Sequence, residues 1–167
     1  MKTRIPFLTA TLLLLGIVCA DAAGKKHEIN EKLDKAVSEL TFHIDINTIL
    51  PQGAQAIYDG STYYLDVREG HVTSYLPFIG RSLSSLAPGE NLSLSFDESP
   101  EIRVEAPKSR KKDGYKLYFT AKTESRHKWH VCITLFDNGT SGIDCISDTM
   151  SSMSYWGELD FDYKQDK

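Results

Sequence analysis

The feature that most constrains this chain is a change of hydrophobic period at Leu40 and Thr41. Before it, Ile29, Leu33, Ala36, Val37 and Leu40 recur at helical spacing between Glu and Lys residues, predicting one amphipathic helix over about residues 27–40. After it, Phe42, Ile44 and Ile46 alternate with His43, Asp45 and Asn47, and short alternating runs separated by turn residues continue to the end of the chain. Eight to ten short antiparallel strands after one helix, with no βαβ alternation, predict a meandering barrel or sandwich.

Three hairpins can be assigned a register. Pairing about Glu69-Gly70 sets Val67 against Val72 and Tyr64 against Tyr75. A turn at Asp113-Gly114 sets Glu105 opposite Lys122, Arg103 opposite Glu124 and Glu101 opposite Arg126, with Ile102, Val104 and Ala106 on the core side. A two-residue turn at Asn138-Gly139 puts Cys132 opposite Cys145 at a non-hydrogen-bonded site, where Cα atoms approach to roughly 4.5 Å, within disulfide range. The alternative is two small buried thiols, since the same register sets Asp144 against Ile133. Leu92, Leu94 and Phe96 alternate with serines as a half-buried strand, and Met153 to Phe161 forms the last one.

Residues 1–22 have the build of a secretory signal: basic Lys2 and Arg4, an apolar run from Ile5 to Val18, and small Ala20 and Ala22 before the expected cut. The alternative is a lipid anchor on Cys19, although Val18 stands where a small residue is expected. No later segment is apolar for long enough to span a bilayer as a helix. Residues 23–167 form one β-rich domain, exported to the periplasm or envelope. Removal of the signal leaves 17 basic residues against 22 acidic ones, which argues against a general nucleic-acid binder.

Several stretches together carry a resemblance: Tyr63-Tyr64-Leu65, then Ser74-Tyr75-Leu76-Pro77-Phe78-Ile79-Gly80-Arg81, Phe96-Asp97, and Ile146 to Gly157 ending in Met153-Ser154-Tyr155-Trp156-Gly157. From Leu40 to Leu159 the chain resembles the domain of unknown function 4251 family, small exported proteins of Bacteroidetes. The resemblance implies a lipocalin-like calyx and a host-associated Gram-negative source, and it implies no activity. The family usually carries Tyr-Phe where this chain has Phe78-Ile79, so one hydroxyl is missing here. The resemblance also makes Asp148-Thr149-Met150 a loose match to an O-glycosylation acceptor.

Chemistry-bearing patterns are sparse. His127 and His130 are the only close histidine pair, and residues three apart on a strand point to opposite faces, so they do not share a metal ion. No serine sits in a nucleophile elbow, and no Cys-His arrangement has a catalytic context. The basic cluster Lys108 to Lys112 reads as a solvated hairpin tip. Ser74 to Arg81 stands out: Pro77 cannot donate to a ladder and Gly80 permits unusual backbone angles, so an apolar strand ends in a shaped loop.

The leading expectation is therefore a non-catalytic, cofactor-free module. It holds a small apolar or amphipathic ligand in the barrel mouth at Tyr75, Phe78 and Arg81, while Trp156 is a separate binding candidate whose face, or an exposed strand edge, an interaction module would use. The alternative for Ser74 to Arg81 is a corner that packs the barrel end. The alternative functions are an envelope protein-interaction or structural module with a filled barrel, and a hydrolase whose site the sequence does not reveal. A large apolar cavity favours the first reading, and a solid core with an exposed aromatic patch favours the second.

Overall fold

The computed structural model describes residues 28–58, 62–80, 93–108, 113–124, 126–161 and 163. The chain opens with helix α1 over residues 28–38, whose Leu33, Ala36 and Val37 are buried against the sheet. The helix stops in a Schellman arrangement: Thr41 N–H donates to Ala36 O at 2.9 Å, Leu40 N–H donates to Val37 O at 3.3 Å, and Leu40 takes a left-handed φ of 47°. A leucine in this region costs about 1–2 kcal/mol relative to its ordinary conformation. Its side chain offsets that by packing on the core and over Gly70, as apolar contacts often do after a helix end. Tyr115 Oη donates to Asp34 Oδ1 at 2.8 Å and ties the helix to the sheet.

Among the described residues ten strands form one antiparallel sheet: β1 (Phe42–Pro51), β2 (Ile57–Tyr58), β3 (Tyr64–Arg68), β4 (His71–Tyr75), β5 (Asp97–Glu98), β6 (Arg103–Glu105), β7 (Tyr115–Lys122), β8 (Lys128–Leu135), β9 (Thr140–Ile146) and β10 (Met153–Asp160). Their order is β5-β4-β3-β1-β10-β9-β8-β7-β6, with β2 added on β1. This is an up-and-down meander whose first and last strands are zipped together at the centre, leaving the sheet open between β5 and β6. It is the lipocalin-like curled sheet with one N-terminal helix that the sequence predicts, in half-barrel form. Lys122 N–H reaches Glu98 Oε1 at 3.3 Å and links β7 to β5 across the opening.

The β1–β10 seam depends on Gly157. A Cβ there would lie 2.2 Å from Asp45 O and 2.9 Å from Ile44 Cγ2, so the two backbones approach too closely for any side chain. A bulge at Asn47 shifts the register from Ile46↔Gly157 to Thr48↔Trp156. The concave face is filled by large apolar side chains, among them Trp129, Tyr155, Phe96, Leu117 and Ile133, all essentially inaccessible.

The first hairpin has the predicted register, with Val67↔Val72 and Tyr64↔Tyr75. Glu69 and Gly70 both take left-handed φ values, 51° and 81°, as a two-residue type I′ turn requires. The other two registers differ from expectation. Arg103 lies opposite Tyr118, and Glu105 opposite Lys116, not opposite Glu124 and Lys122. The whole stretch 106–114 connects β6 to β7, so the hairpin does not turn tightly at Asp113-Gly114. A shift of six residues preserves the inward-outward alternation, so the pattern did not oppose it, but β6 is an exposed edge strand: Val104 is 40% exposed and Ala106 is exposed, so the expected core-facing row is not formed. Arg103 instead lies over the Tyr118 ring at 4.7 Å and pairs with Glu105 at 3.2 Å.

At the third hairpin the shift is one residue, and its consequence is larger. Phe136 N–H donates to Thr140 O at 2.9 Å, Gly139 N–H donates to Phe136 O at 3.1 Å, and Gly139 has φ 84°. This is a three-residue loop with a glycine bulge, Asp137-Asn138-Gly139. Cys132 therefore faces Asp144, while Cys145 faces Val131. The two cysteines point to opposite sides of the sheet as free thiols, which overturns the expected Cys132 to Cys145 disulfide. Of the predicted Leu92 to Phe96 strand, Leu92 lies outside the described residues. Leu94 makes only an isolated bridge to Leu76. There Ser74 N–H donates to Phe96 O and Leu94 N–H to Leu76 O, and the buried Ser74 hydroxyl fills the gap between these bonds, donating to Leu94 O at 2.9 Å and accepting from Phe96 N–H at 3.0 Å.

Candidate functional site

The loop after β4 folds inward. Phe78 is half-buried, its ring edge-on to Trp129 at a centroid distance of 5.8 Å, and a Cβ on Gly80 would sit 2.6 Å from Phe78 Cζ. Tyr155, buried on β10, donates its hydroxyl to Pro77 O at 2.9 Å, and burial drives its pKa upward. These contacts hold the corner against the packed interior. Tyr75 is 49% exposed on the convex face, with its ring 5.5 Å from that of Tyr63. Trp156 is also convex and exposed, but β3 and β1 lie between its strand and that of Tyr75. The structure thus separates Tyr75, Phe78 and Trp156 into three places. Arg81 and Cys19 lie outside the described residues, as do Lys2, Arg4 and the rest of residues 1–27.

A different part of the outer surface is grooved. On the convex side of β7, β8 and β9, two rows of side chains line a groove of about 560 Å³: Tyr118, Cys132 and Asp144 in one, Thr120, His130 and Ile146 in the next, with Glu101 at the rim. Ile146 is more than half exposed, and Tyr118 presents a ring, so the floor is partly apolar. Thr120 Oγ1 and His130 Nδ1 are 3.1 Å apart, and Ser154 Oγ donates to Asp144 Oδ1 at 2.6 Å. Partial burial and the neighbouring Asp144 carboxylate push the Cys132 thiol up, so it is held neutral and is not an activated nucleophile. Desolvation and the adjacent Cys132 likewise raise the Tyr118 phenol. The groove offers a mixed apolar and hydrogen-bonding surface, not a proton-transfer pair.

Sequence reasoning missed this groove because it depends on the β8–β9 register. Asp137, read as part of the turn, would have made a three-residue loop and sent Cys132, Asp144 and Ile146 to one face.

A second polar cluster tethers strands. His43 is buried between two carboxylates, with Nδ1 3.1 Å from Asp66 Oδ1 and Nε2 3.3 Å from Asp45 Oδ1. Arg68 Nε donates to Asp66 Oδ2 at 2.8 Å, and the Tyr163 ring stacks on the imidazole at 3.6 Å. Among the described residues no group of three His, Cys, Asp or Glu side chains could hold a metal ion. His127 and His130 stand apart, each near a threonine hydroxyl.

The model of a family described as a domain of unknown function (DUF4251) matches residues 24–159. The chain belongs to the DUF4251 family. A solved relative, a DUF4251 family protein from Bacteroides eggerthii DSM 20697, shares the fold at a TM-score of 0.55 and 15% identity, over 78% of this chain and 86% of that one. No curated protein matches. The likeness to that relative is one of fold. Among the described residues of this DUF4251 protein no helix is long and apolar enough to cross a membrane.

Proposed function

We propose that this DUF4251 protein is exported from a Bacteroidetes cell, loses residues 1–22, and works in the periplasm or envelope as a non-catalytic binding module. Its contact surface is the convex groove of β7, β8 and β9, which receives a small amphipathic ligand. The observation that carries this reading is the distribution of space. The concave side is occupied by Trp129, Tyr155, Phe96 and their neighbours, while the groove on the outside has the volume and mixed lining of a small-molecule site. The apolar part of a ligand would rest on Tyr118 and Ile146, and its polar part would meet Thr120, His130 and Asp144.

The test uses the neutral aromatic amine N-phenyl-1-naphthylamine, whose fluorescence rises on leaving water. A saturable rise is expected, with Kd raised about tenfold, or ~1.4 kcal/mol, by Tyr118→Ala or Ile146→Asp. No saturable rise, or a rise that both substitutions leave untouched, removes the groove from consideration. The intact mass of protein from the native envelope tests export, because a chain beginning at Ala23 and one beginning at a lipidated Cys19 differ plainly.

A further inference from the structure

Beside the groove, one strand further along the convex face, the sheet carries a flat aromatic surface. Trp156 is 44% exposed, and its neighbour across the ladder is Gly142. A Cβ on Gly142 would lie 4.0 Å from the indole Cη2 and Cζ3, so the six-membered ring rests over a position with no side chain and lies low on the sheet. Phe136 runs parallel to it, with an interplanar angle of 8° and centroids 5.9 Å apart. On the other side the ladder runs from Trp156 to Thr48 and then to Tyr58, which is 82% exposed. Two strand steps separate the outer rings, roughly 10 Å.

What surrounds the indole decides what can lie on it. Two residues before it in β10, Ser154 pairs with Asp144; two residues after it, Glu158 pairs with Thr140. A hydroxyl and a carboxylate therefore bracket the ring at both ends. On β1, Asp45 lies opposite Glu158, adding a third carboxylate. No lysine or arginine occupies these positions.

We propose that the Trp156 surface binds a neutral pyranose, with Tyr58 extending the site for a second sugar residue of an oligosaccharide. A pyranose has a face of C–H groups that packs on an aromatic ring and an equator of hydroxyls that donate to carboxylates, which is the arrangement around Trp156. A purely apolar ligand would leave those carboxylates desolvated. Phosphates, uronic acids and nucleotides would meet three like charges. A peptide is the remaining competitor, and the test treats it as an outcome.

The experiment is a titration of the full mature protein with cellohexaose, maltohexaose and chitohexaose, followed by tryptophan fluorescence. The chain has two tryptophans, and Trp129 is buried, so a ligand on the convex face perturbs Trp156. At least one neutral oligosaccharide is expected to shift the emission saturably, with Kd between about 10 μM and 1 mM. Trp156→Ala, titrated by isothermal calorimetry beside the parent because it lacks the reporting indole, should weaken binding at least about tenfold while Trp129 emission reports an intact fold. Glu158→Gln should weaken the neutral sugar and relax exclusion of an oligogalacturonate.

The proposal is overturned if none of the three sugars gives a saturable change up to about 5 mM, or if Trp156→Ala binds as tightly as the parent. It is also overturned if only peptides compete at Trp156. Asp144 borders both surfaces, but Trp156 lines only this one, so Trp156→Ala should leave dye binding at Tyr118 unchanged.

Discussion

Replacing Gly157 with alanine adds one methyl group to the seam that joins the first strand to the last. With the backbone fixed, that carbon would sit 2.2 Å from Asp45 O and 3.0 Å from Asp45 C, both main-chain atoms that no rotamer change can move. Ordinary contact requires β1 and β10 to separate by about 1 Å, which stretches the neighbouring ladder hydrogen bonds and disturbs the packing of Ile44. Overpacking of this kind costs about 3 kcal/mol. For a domain of this size, that lowers Tm by about 10 °C.

Gly142→Ala, one strand away, is the matched control. Its added carbon meets only the Trp156 ring at 4.0 Å, and alanine limits the unfolded chain more than glycine does, so stability should be unchanged or raised by up to about 1 kcal/mol. Urea unfolding followed by circular dichroism measures both. A Gly157→Ala protein within about 0.5 kcal/mol of Gly142→Ala would refute the argument that backbone contact at the seam fixes this position.

The cysteines give a second prediction: thiol titration of unreduced, denatured protein beginning at Ala23 should find two free thiols, whereas folded protein should expose only Cys132, and that slowly. Burial raises the pKa of Cys145, as it does that of Tyr155, so both keep their protons more firmly folded than unfolded. Their contribution to stability is intact below about pH 9 and declines as pH rises further, and Cys145→Ala should flatten part of that alkaline slope in a series of urea midpoints. Tyr155→Phe removes the donor to Pro77 O and should cost about 1–2 kcal/mol in the same assay, with faster proteolysis at the Pro77-Phe78 corner as its local sign.

How far the sequence could be read depended on turn length more than on hydrophobic pattern. Glu69-Gly70 is a true two-residue turn, so the pairing of Val67 with Val72 followed directly from it. Asn138-Gly139 carries the same dipeptide signal, yet Asp137 belongs to the loop, and that one residue exchanges the faces of β9 relative to β8. The charges around Asp113-Gly114 suggested three cross-strand pairs, but a register shifted by six satisfies the same alternation and uses Arg103 over Tyr118 instead. The helix, the meander and the final strand were legible because each rests on a repeated period. Tyr75, Phe78 and Trp156 were recognisable as unusual residues, but their separation follows from strand order, which alternation does not encode. The groove was hidden for the same reason, since Tyr118, Cys132 and Asp144 become neighbours only through two registers.

The joining of Phe42–Pro51 to Met153–Asp160 also sets a timetable for the chain. The strand that forms near the beginning finds its main partner roughly a hundred residues later, a long loop to close before its largest seam is rewarded. Until β10 arrives, β1 and β9 are two bare edges in the middle of what will become one sheet, each a template for another molecule's strand. A chain cut before Met153 is therefore not a shortened version of this protein but a pair of unsealed half-sheets, and its expected fate is association with other chains.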